Sequence, residues 1–168
     1  MIDKPIFMDN HSTTRVDPRV VDAMLPFFSQ DYGNPGSISH SFGTKAAEAV
    51  EQARQTIAAG INASPREIVF TSGATESNNL ALKGIVENRR YSGSQIISVN
   101  TEHKAILDPL DRFSRKGFEI KLLPVQGHGT SRPGLIDLEQ LESAITDETR
   151  LVSVMMANNE IGIVQPIA

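Results

Sequence analysis

Four short apolar runs divide the chain into strand-like segments separated by helix-like ones. Residues 68–70, 95–99, 119–123 and 151–155 are rich in Ile, Val and Leu, and each run has the length of a buried strand. The segments between them carry apolar residues at helical spacing. Because strands alternate with helices, the pattern predicts an α/β fold with a mostly parallel sheet, connected by right-handed crossovers and flanked by helices.

Two helices are predicted before the first of these runs. Asp17 followed by Pro18 is typical of an N-cap with proline at the first helical position. We expect Pro26 to kink or end this first helix. A longer helix is predicted from about His40 to about Ala59. The apolar faces are Val20, Val21, Met24 and Leu25 in the first helix, and Ala46, Val50, Ala53 and Ile57 in the second.

Three more helices are predicted in the remainder of the chain. One begins after Gly73, and a second is restarted or capped at Asp108 and Pro109. The third begins at Asp137, which together with Gln140 resembles a capping box. Their apolar faces are, in chain order, Leu82, Ile85 and Val86; Leu110 and Phe113; and Leu138, Leu141 and Ile145.

The turn from Thr71 to Thr75 has the composition of an anion site. Gly73 allows close approach of a ligand to the backbone, because it has no Cβ. Ala74 and Thr75 would then offer free amides at a helix N-terminus, where the helix dipole favours negative charge. The Thr75 hydroxyl adds a donor. An ordinary capped turn explains the same residues, since Ser and Thr are common there, so the local pattern leaves both interpretations open.

Polar clusters follow the predicted strands at three places: 73–75, 101–103 and 158–160. In a parallel sheet, ligands bind beyond the carboxyl ends of the strands. The periodicity of the chain does not require polar clusters at those ends. Their coincidence therefore favours the phosphate-binding interpretation of the first one.

Composition excludes several classes of function. The 168 residues suit one ordinary domain, and 39% hydrophobic with 21% charged residues permits a packed core. A net charge of −4 and the absence of any Lys or Arg run argue against a nucleic-acid surface or a polybasic membrane patch.

There is no Cys, hence no disulfide and no thiolate chemistry on this chain. No membrane span or secretory pattern is present, so cytoplasmic residence is expected. His11, His40 and His128 lack ligand spacing, so no metal site is predicted.

Five motifs, taken together, resemble the pyridoxal-phosphate-dependent cysteine desulfurases, which supply sulfur for iron–sulfur cluster assembly. Each motif alone has low specificity, but all five occur in family order and at nearly family spacing over essentially the whole chain. Ser12, where the family usually has Ala, and a longer turn at 126–134 are small departures in loops. The motifs are residues 8–14, 33–37 with His40 and Gly43, 71–77, 101–105 and 158–162.

The resemblance implies a fold-type-I large domain, a homodimer and a set of roles at matching positions. Residues 1–168 would form the N-terminal segment and the first part of the large cofactor-binding domain. Ala74 and Thr75 would hold the phosphate of pyridoxal 5′-phosphate (PLP). His103 would stack on the pyridine ring and take part in proton transfer, as an imidazole can near neutral pH. Asn159 would sit by the cofactor hydroxyl and the substrate carboxylate, since an amide can donate and accept at once.

Each of these roles has a structural alternative. His103 can cap a helix start, and Asn159 can cap backbone groups in a tight loop. Glu76 could be a base, but a glutamate in the first turn more often complements the helix dipole. His40 belongs to a segment that in the family lies near the dimer interface and active-site entrance, yet a role in starting its helix is the simpler interpretation.

The resemblance also implies groups that this chain does not contain at matching positions. In the family, the Lys that binds PLP as a Schiff base, the acid beside the ring nitrogen, the nucleophilic Cys and the substrate-binding Arg all follow the Asn-Asn-Glu motif. Lys83 and Lys104 match no Schiff-base position. The strand predicted at 68–70 would be separated from the other three by family strands that also come later.

The main hypothesis is therefore the N-terminal portion of a cysteine desulfurase, which converts L-cysteine to L-alanine and leaves an enzyme-bound persulfide for sulfur-acceptor or scaffold proteins. Alone, the chain is expected to show no turnover. One alternative is half of a split desulfurase, completed by a C-terminal half on another polypeptide. The others are a catalytically dead scaffold module and another fold-type-I enzyme, such as a selenocysteine lyase or an aminotransferase.

Overall fold

The structure is a computed structural model that describes residues 5–10 and 12–167. The chain divides into two compact units, Met1–Phe70 and Thr71–Ala168, which are described separately. No helix among the described residues is both long enough and apolar enough to cross a membrane.

The first unit contains α1 (Pro18–Ser29), α2 (Ser41–Gly60) and a short 3-10 turn (Pro65–Glu67). Helix α1 begins as predicted, because the Asp17 side chain accepts the Arg19 amide and Pro18 occupies the first turn. The prediction that Pro26 kinks or ends α1 is wrong as to the end, since the helix continues through it to Ser29. The Pro26 carbonyl then accepts the amides of both Gln30 and Asp31, which closes the last turn.

Helix α2 matches its prediction within one residue at each end, and His40 is its N-cap. The His40 Nδ1 atom accepts the Gly43 amide at 3.1 Å. Gly43 is required by close packing, since a Cβ there would lie 1.8 Å from the Ser37 carbonyl oxygen. On the predicted apolar face, Ala46 is buried but Val50 and Ile57 are exposed.

The predicted buried strand at 68–70 is wrong. These residues form an irregular segment in which Val69 and Phe70 are exposed. An extended segment becomes a strand only when a neighbour satisfies its backbone groups, and no described strand pairs with this one. Instead, the Arg54 guanidinium donates to the Ile68 carbonyl and lies 4.9 Å from the centre of the Phe70 ring.

The second unit is a three-stranded parallel sheet with helices. Strands β1 (Gln95–Val99) and β2 (Glu119–Leu123) have the predicted bounds, and β1 is central in the order β2-β1-β3. Strand β3 (Thr149–Ser153) begins and ends two residues before its prediction. The strand starts at Thr149 because this residue pairs with Gln95 of β1. Beyond its end, the Met155 amide donates to the Glu102 carboxylate instead of to a neighbouring strand. A two-residue hairpin, β4 (Ala157–Asn158) and β5 (Ile163–Val164), follows.

Helices pack on both faces of β1. Helix α3 (Ala74–Val86) and helix α4 (Lys104–Arg115) cover Ile96, whereas α5 (Leu138–Ala144) belongs to the cluster around Ile97 and Val99. All three strand residues are fully buried, so burial on two faces explains the continuous apolar run.

Helix α4 starts earlier than predicted. Asp108 and Pro109 do not restart a helix; Pro109 lies inside α4, and the N-cap is His103. Ala105 and Ile106 are buried in the first turn, and that burial offsets the hydrogen bond that Pro109 cannot donate. Helix α5 begins as predicted, with Asp137 Oδ1 accepting two backbone amides of the first turn.

Candidate functional site

The turn into α3 leaves backbone donors available. Gly73 is the N-cap and makes no side-chain cap, and none of the described residues accepts a hydrogen bond from the amides of Ala74 or Thr75. The Thr75 hydroxyl is likewise exposed and makes no described hydrogen bond. Gly73 has extended backbone, and a Cβ there would meet no atom within 4 Å. The immediate surroundings of Gly73 are therefore open.

Hydrogen bonds among side chains of the same turn and the first turn of α3 hold its conformation. The Thr71 and Ser77 hydroxyls are 2.6 Å apart, and one Glu76 carboxylate oxygen accepts both the Ser72 amide and the Ser72 hydroxyl at 2.7 Å. These bonds from Ser72 lower the pKa of Glu76. Glu76 thus holds the turn as a charged group, in agreement with its interpretation as a helix-start residue.

His103 lies at the end of the turn that follows β1. Its Nδ1 atom accepts a hydrogen bond from the Ala105 amide at 3.0 Å, so His103 does cap the start of α4, as the structural alternative proposed. Because Nδ1 accepts, a neutral imidazole carries its hydrogen on Nε2. The His103 side chain is exposed, and capping occupies only one of its two ring nitrogens.

Thr75 and His103 line one cavity of about 290 Å³ between α3 and α4. The cavity combines hydrogen-bond donors from the start of α3 with an imidazole, two cationic side chains and one carboxylate. The cations outnumber the carboxylate, and together with the donors they suit an anionic ligand. Its other lining residues are Asn79, Lys104, Ala105, Asp108, Pro109 and Arg112.

Asn159 does not line this cavity. It is exposed in the turn between β4 and β5, and its neighbour Asn158 is buried there. The Asn158 Oδ1 atom accepts the amides of Glu160 and Ile161 at 2.9 and 3.1 Å, while Nδ2 donates to the Thr101 carbonyl at 2.8 Å. The capping role considered for Asn159 therefore belongs to Asn158.

Glu102 is a second residue that the sequence interpretation did not single out. Its side chain is buried, and Oε1 accepts the Met155 amide at 2.5 Å. Burial raises the pKa of this carboxyl, and the amides of Met155 and His103 partly offset that effect. A signal was present in the sequence: a polar residue immediately before the site histidine, at the end of a fully buried strand.

The metal prediction concerns three histidines, and His11 lies outside the described residues. Within the described ranges, no group of three His, Asp or Glu side chains is arranged to hold a metal ion.

Comparison with known proteins gives a family for this arrangement. The profile described as aminotransferase class-V matches residues 6–168, and the chain belongs to that family. Its members are PLP-dependent enzymes. A cysteine desulfurase IscS from Neisseria meningitidis serogroup A is 55% identical over 97% of the chain. One from Ehrlichia chaffeensis is 53% identical over 99% of it. The chain spans 39% of the length of each of these relatives.

Solved structures agree with this relationship. A NifS-like protein superposes with a TM-score of 0.85 at 44% identity, covering 94% of this chain and 42% of the other. A structure of SspA in complex with cysteine gives 0.82 at 39% identity, covering 95% of this chain and 44% of the other. The α/β fold and the resemblance to cysteine desulfurases are thereby confirmed.

Proposed function

We propose that this chain forms the phosphate-binding and ring-contacting part of a PLP-dependent cysteine desulfurase. The observation that carries the proposal is that free donors at the start of α3 and the His103 imidazole line one cavity, at positions where the chain resembles desulfurases. L-Cysteine is the proposed substrate, and a similar protein has been solved in complex with cysteine.

The residues present fit PLP. The amides of Ala74 and Thr75 and the Thr75 hydroxyl would hold its phosphate, and the open surroundings of Gly73 leave room for it. Lys104 and Arg112 add positive potential on the cavity wall. When bound, PLP supplies an electron sink for negative charge that develops on the substrate α-carbon.

His103 would act in two ways. Its exposed ring would stack on the cofactor ring, and its Nε2 atom would carry the proton exchanged with the substrate, because Nδ1 is held by the Ala105 amide. Asn159 would contact the cofactor hydroxyl and the substrate carboxylate through its free amide group. Asn159 lies outside the cavity that Thr75 and His103 line, so its role rests on the family resemblance.

The overall reaction breaks the C–S bond of L-cysteine and forms an S–S bond, while Cβ of the product gains a proton equivalent to the one that the attacking thiol loses. Alanine is released, and the sulfur stays as a persulfide on a cysteine thiolate. That thiolate and the Schiff-base Lys would come from outside this chain, which contains no Cys. Homodimerisation, transfer of sulfur to acceptor proteins and cytoplasmic residence belong to the same proposal.

The test uses a swap chimera, in which this chain replaces the matching 163-residue segment of the Neisseria meningitidis desulfurase. We expect the chimera to bind PLP and to convert cysteine to alanine, and the isolated chain to release no alanine. A folded, PLP-loaded chimera without turnover would contradict the proposal and favour the scaffold module. Turnover with selenocysteine but not cysteine would favour a selenocysteine lyase. Turnover by the isolated chain would refute the claim that the remaining groups lie elsewhere.

A further inference from the structure

Two turns of the second unit are joined by side chains that reach in opposite directions. Glu102, in the turn after β1, accepts the Met155 amide beyond the end of β3. Asn158, which follows β3, donates to the Thr101 carbonyl in the turn after β1. We call this pair of contacts the two-turn clasp. It ties the turn that carries His103 to the segment that carries Asn159.

The composition of the clasp is costly for a purely structural link. Glu102 is 7% exposed, and its described hydrogen bond comes from the neutral Met155 amide. Burial raises the pKa of its carboxyl, and the backbone amides of Met155 and His103 offset that effect more than the His103 side chain does. Burying a carboxylate with neutral partners is unfavourable relative to burying an apolar side chain of similar size. A carboxylate provides a more defined position than an apolar side chain does, because its charge-assisted bonds to amides are short and restrict the movement of both partners.

Resting on the proposed function, we propose that Glu102 is a positioning residue for His103. Its carboxylate fixes the 101–103 turn against Met155, and this sets where the next residue presents its imidazole to the cavity. The only hydrogen bond described for the His103 side chain is the one that Nδ1 accepts from the Ala105 amide, within its own helix. The clasp therefore fixes the turn that carries His103 relative to residues outside α4.

The first test is the substitution Glu102→Gln in the swap chimera. Gln keeps the shape but removes the charge and replaces one carboxylate oxygen with a donor, so the bond from the Met155 amide loses its charge assistance. We expect kcat for alanine release to fall about ten- to a hundredfold, because a small displacement of the His103 imidazole slows proton transfer. KM for cysteine should stay unchanged. The induced circular dichroism of bound PLP, which reports ring orientation, should change as well.

The matched control is Ser98→Ala. It removes a bond between β1 and β3, the strands that precede the two clasped turns, without touching the clasp. That bond runs from Ser98 Oγ to the Ser153 carbonyl at 2.8 Å. We expect it to lower the unfolding midpoint while leaving kcat and the circular dichroism unchanged. If Glu102→Gln behaves in the same way, Glu102 is merely structural and the proposal is wrong.

A second readout separates this proposal from the proposed function. In the 168-residue chain, imidazole ¹H–¹⁵N spectra report which ring nitrogen of His103 carries hydrogen. We expect a single Nε2–H form in the wild type and in Ser98→Ala, and a mixture in Glu102→Gln. An inactive wild-type chimera would refute the desulfurase assignment alone. Unchanged His103 spectra in Glu102→Gln would refute positioning by Glu102, whatever the chimera does.

Discussion

The Nδ1 atom of His103 lies 3.0 Å from the Ala105 backbone nitrogen and accepts its hydrogen bond. One side chain therefore caps α4 and faces the cavity that Thr75 also lines. The two roles use different parts of the imidazole, because capping requires only one acceptor atom. A substitution that keeps the acceptor but removes the ring can separate them.

His103→Asn should leave stability nearly unchanged, because Asn is a good N-cap. His103→Ala should lower the free energy of unfolding by about 1 kcal/mol through loss of the cap. Both should lose the induced circular dichroism of bound PLP and alanine release in the swap chimera. Urea unfolding combined with these two readouts checks the prediction. A His103→Asn chimera with wild-type turnover would show that the residue only caps the helix.

Asn158 and its neighbour Asn159 should respond in opposite ways to substitution by Ala. Asn158→Ala removes three hydrogen bonds of a buried side chain and should cost about 2–4 kcal/mol of unfolding free energy. Asn159 is exposed, so Asn159→Ala should change stability by less than about 0.5 kcal/mol. The same change should lower cysteine turnover of the swap chimera. Equal destabilisation by both substitutions would contradict this division of roles.

Glu102 gives a signed pH dependence. Burial raises the pKa of its carboxyl in the folded chain above the unfolded value of about 4.3. Between these two values the folded state binds more protons, so the contribution of Glu102 to stability falls as pH rises through that window. Glu76, whose pKa is lowered, has the opposite slope, and its contribution is lost as pH falls below the unfolded value.

The difference in unfolding free energy between wild type and Glu102→Gln isolates the pH dependence that comes from Glu102, since Glu76 is common to both. Wild type should lose stability relative to Glu102→Gln as pH rises from about 4 into the window above the ordinary carboxyl pKa. Urea unfolding over this pH range measures the difference. A constant difference, or one of the opposite sign, would contradict the raised pKa.

Local signals in the sequence are sufficient for several elements of the fold. The bounds of β1 and β2 follow from their apolar runs, and α1, α2 and α5 begin at residues whose side chains accept amides of the first turn. These features depend on neighbours in sequence, so one chain contains what is needed to predict them.

The errors have non-local causes. The 68–70 run has strand-like composition, but no described strand satisfies its backbone, so composition alone misplaces it. Pro109 looks like a helix start, yet α4 begins before it, at Lys104, because Ala105 and Ile106 are buried in the first turn. At the site, Glu102 and Asn158 owe their importance to partners more than fifty residues away, which spacing within one motif does not reveal.

The central claim is that the start of α3 binds the phosphate of a ligand whose ring lies by His103. Its most direct measurement is the dissociation constant of the 168-residue chain for PLP and for pyridoxal, which lacks the phosphate, in wild type, Thr75→Val and Thr75→Ser. Thr75→Val should weaken PLP binding about tenfold, because one hydroxyl bond to a charged group contributes about 1.5 kcal/mol or more. Thr75→Ser should retain wild-type affinity, and pyridoxal should bind all three equally weakly. Equal affinity of the wild-type chain for PLP and pyridoxal would contradict the account.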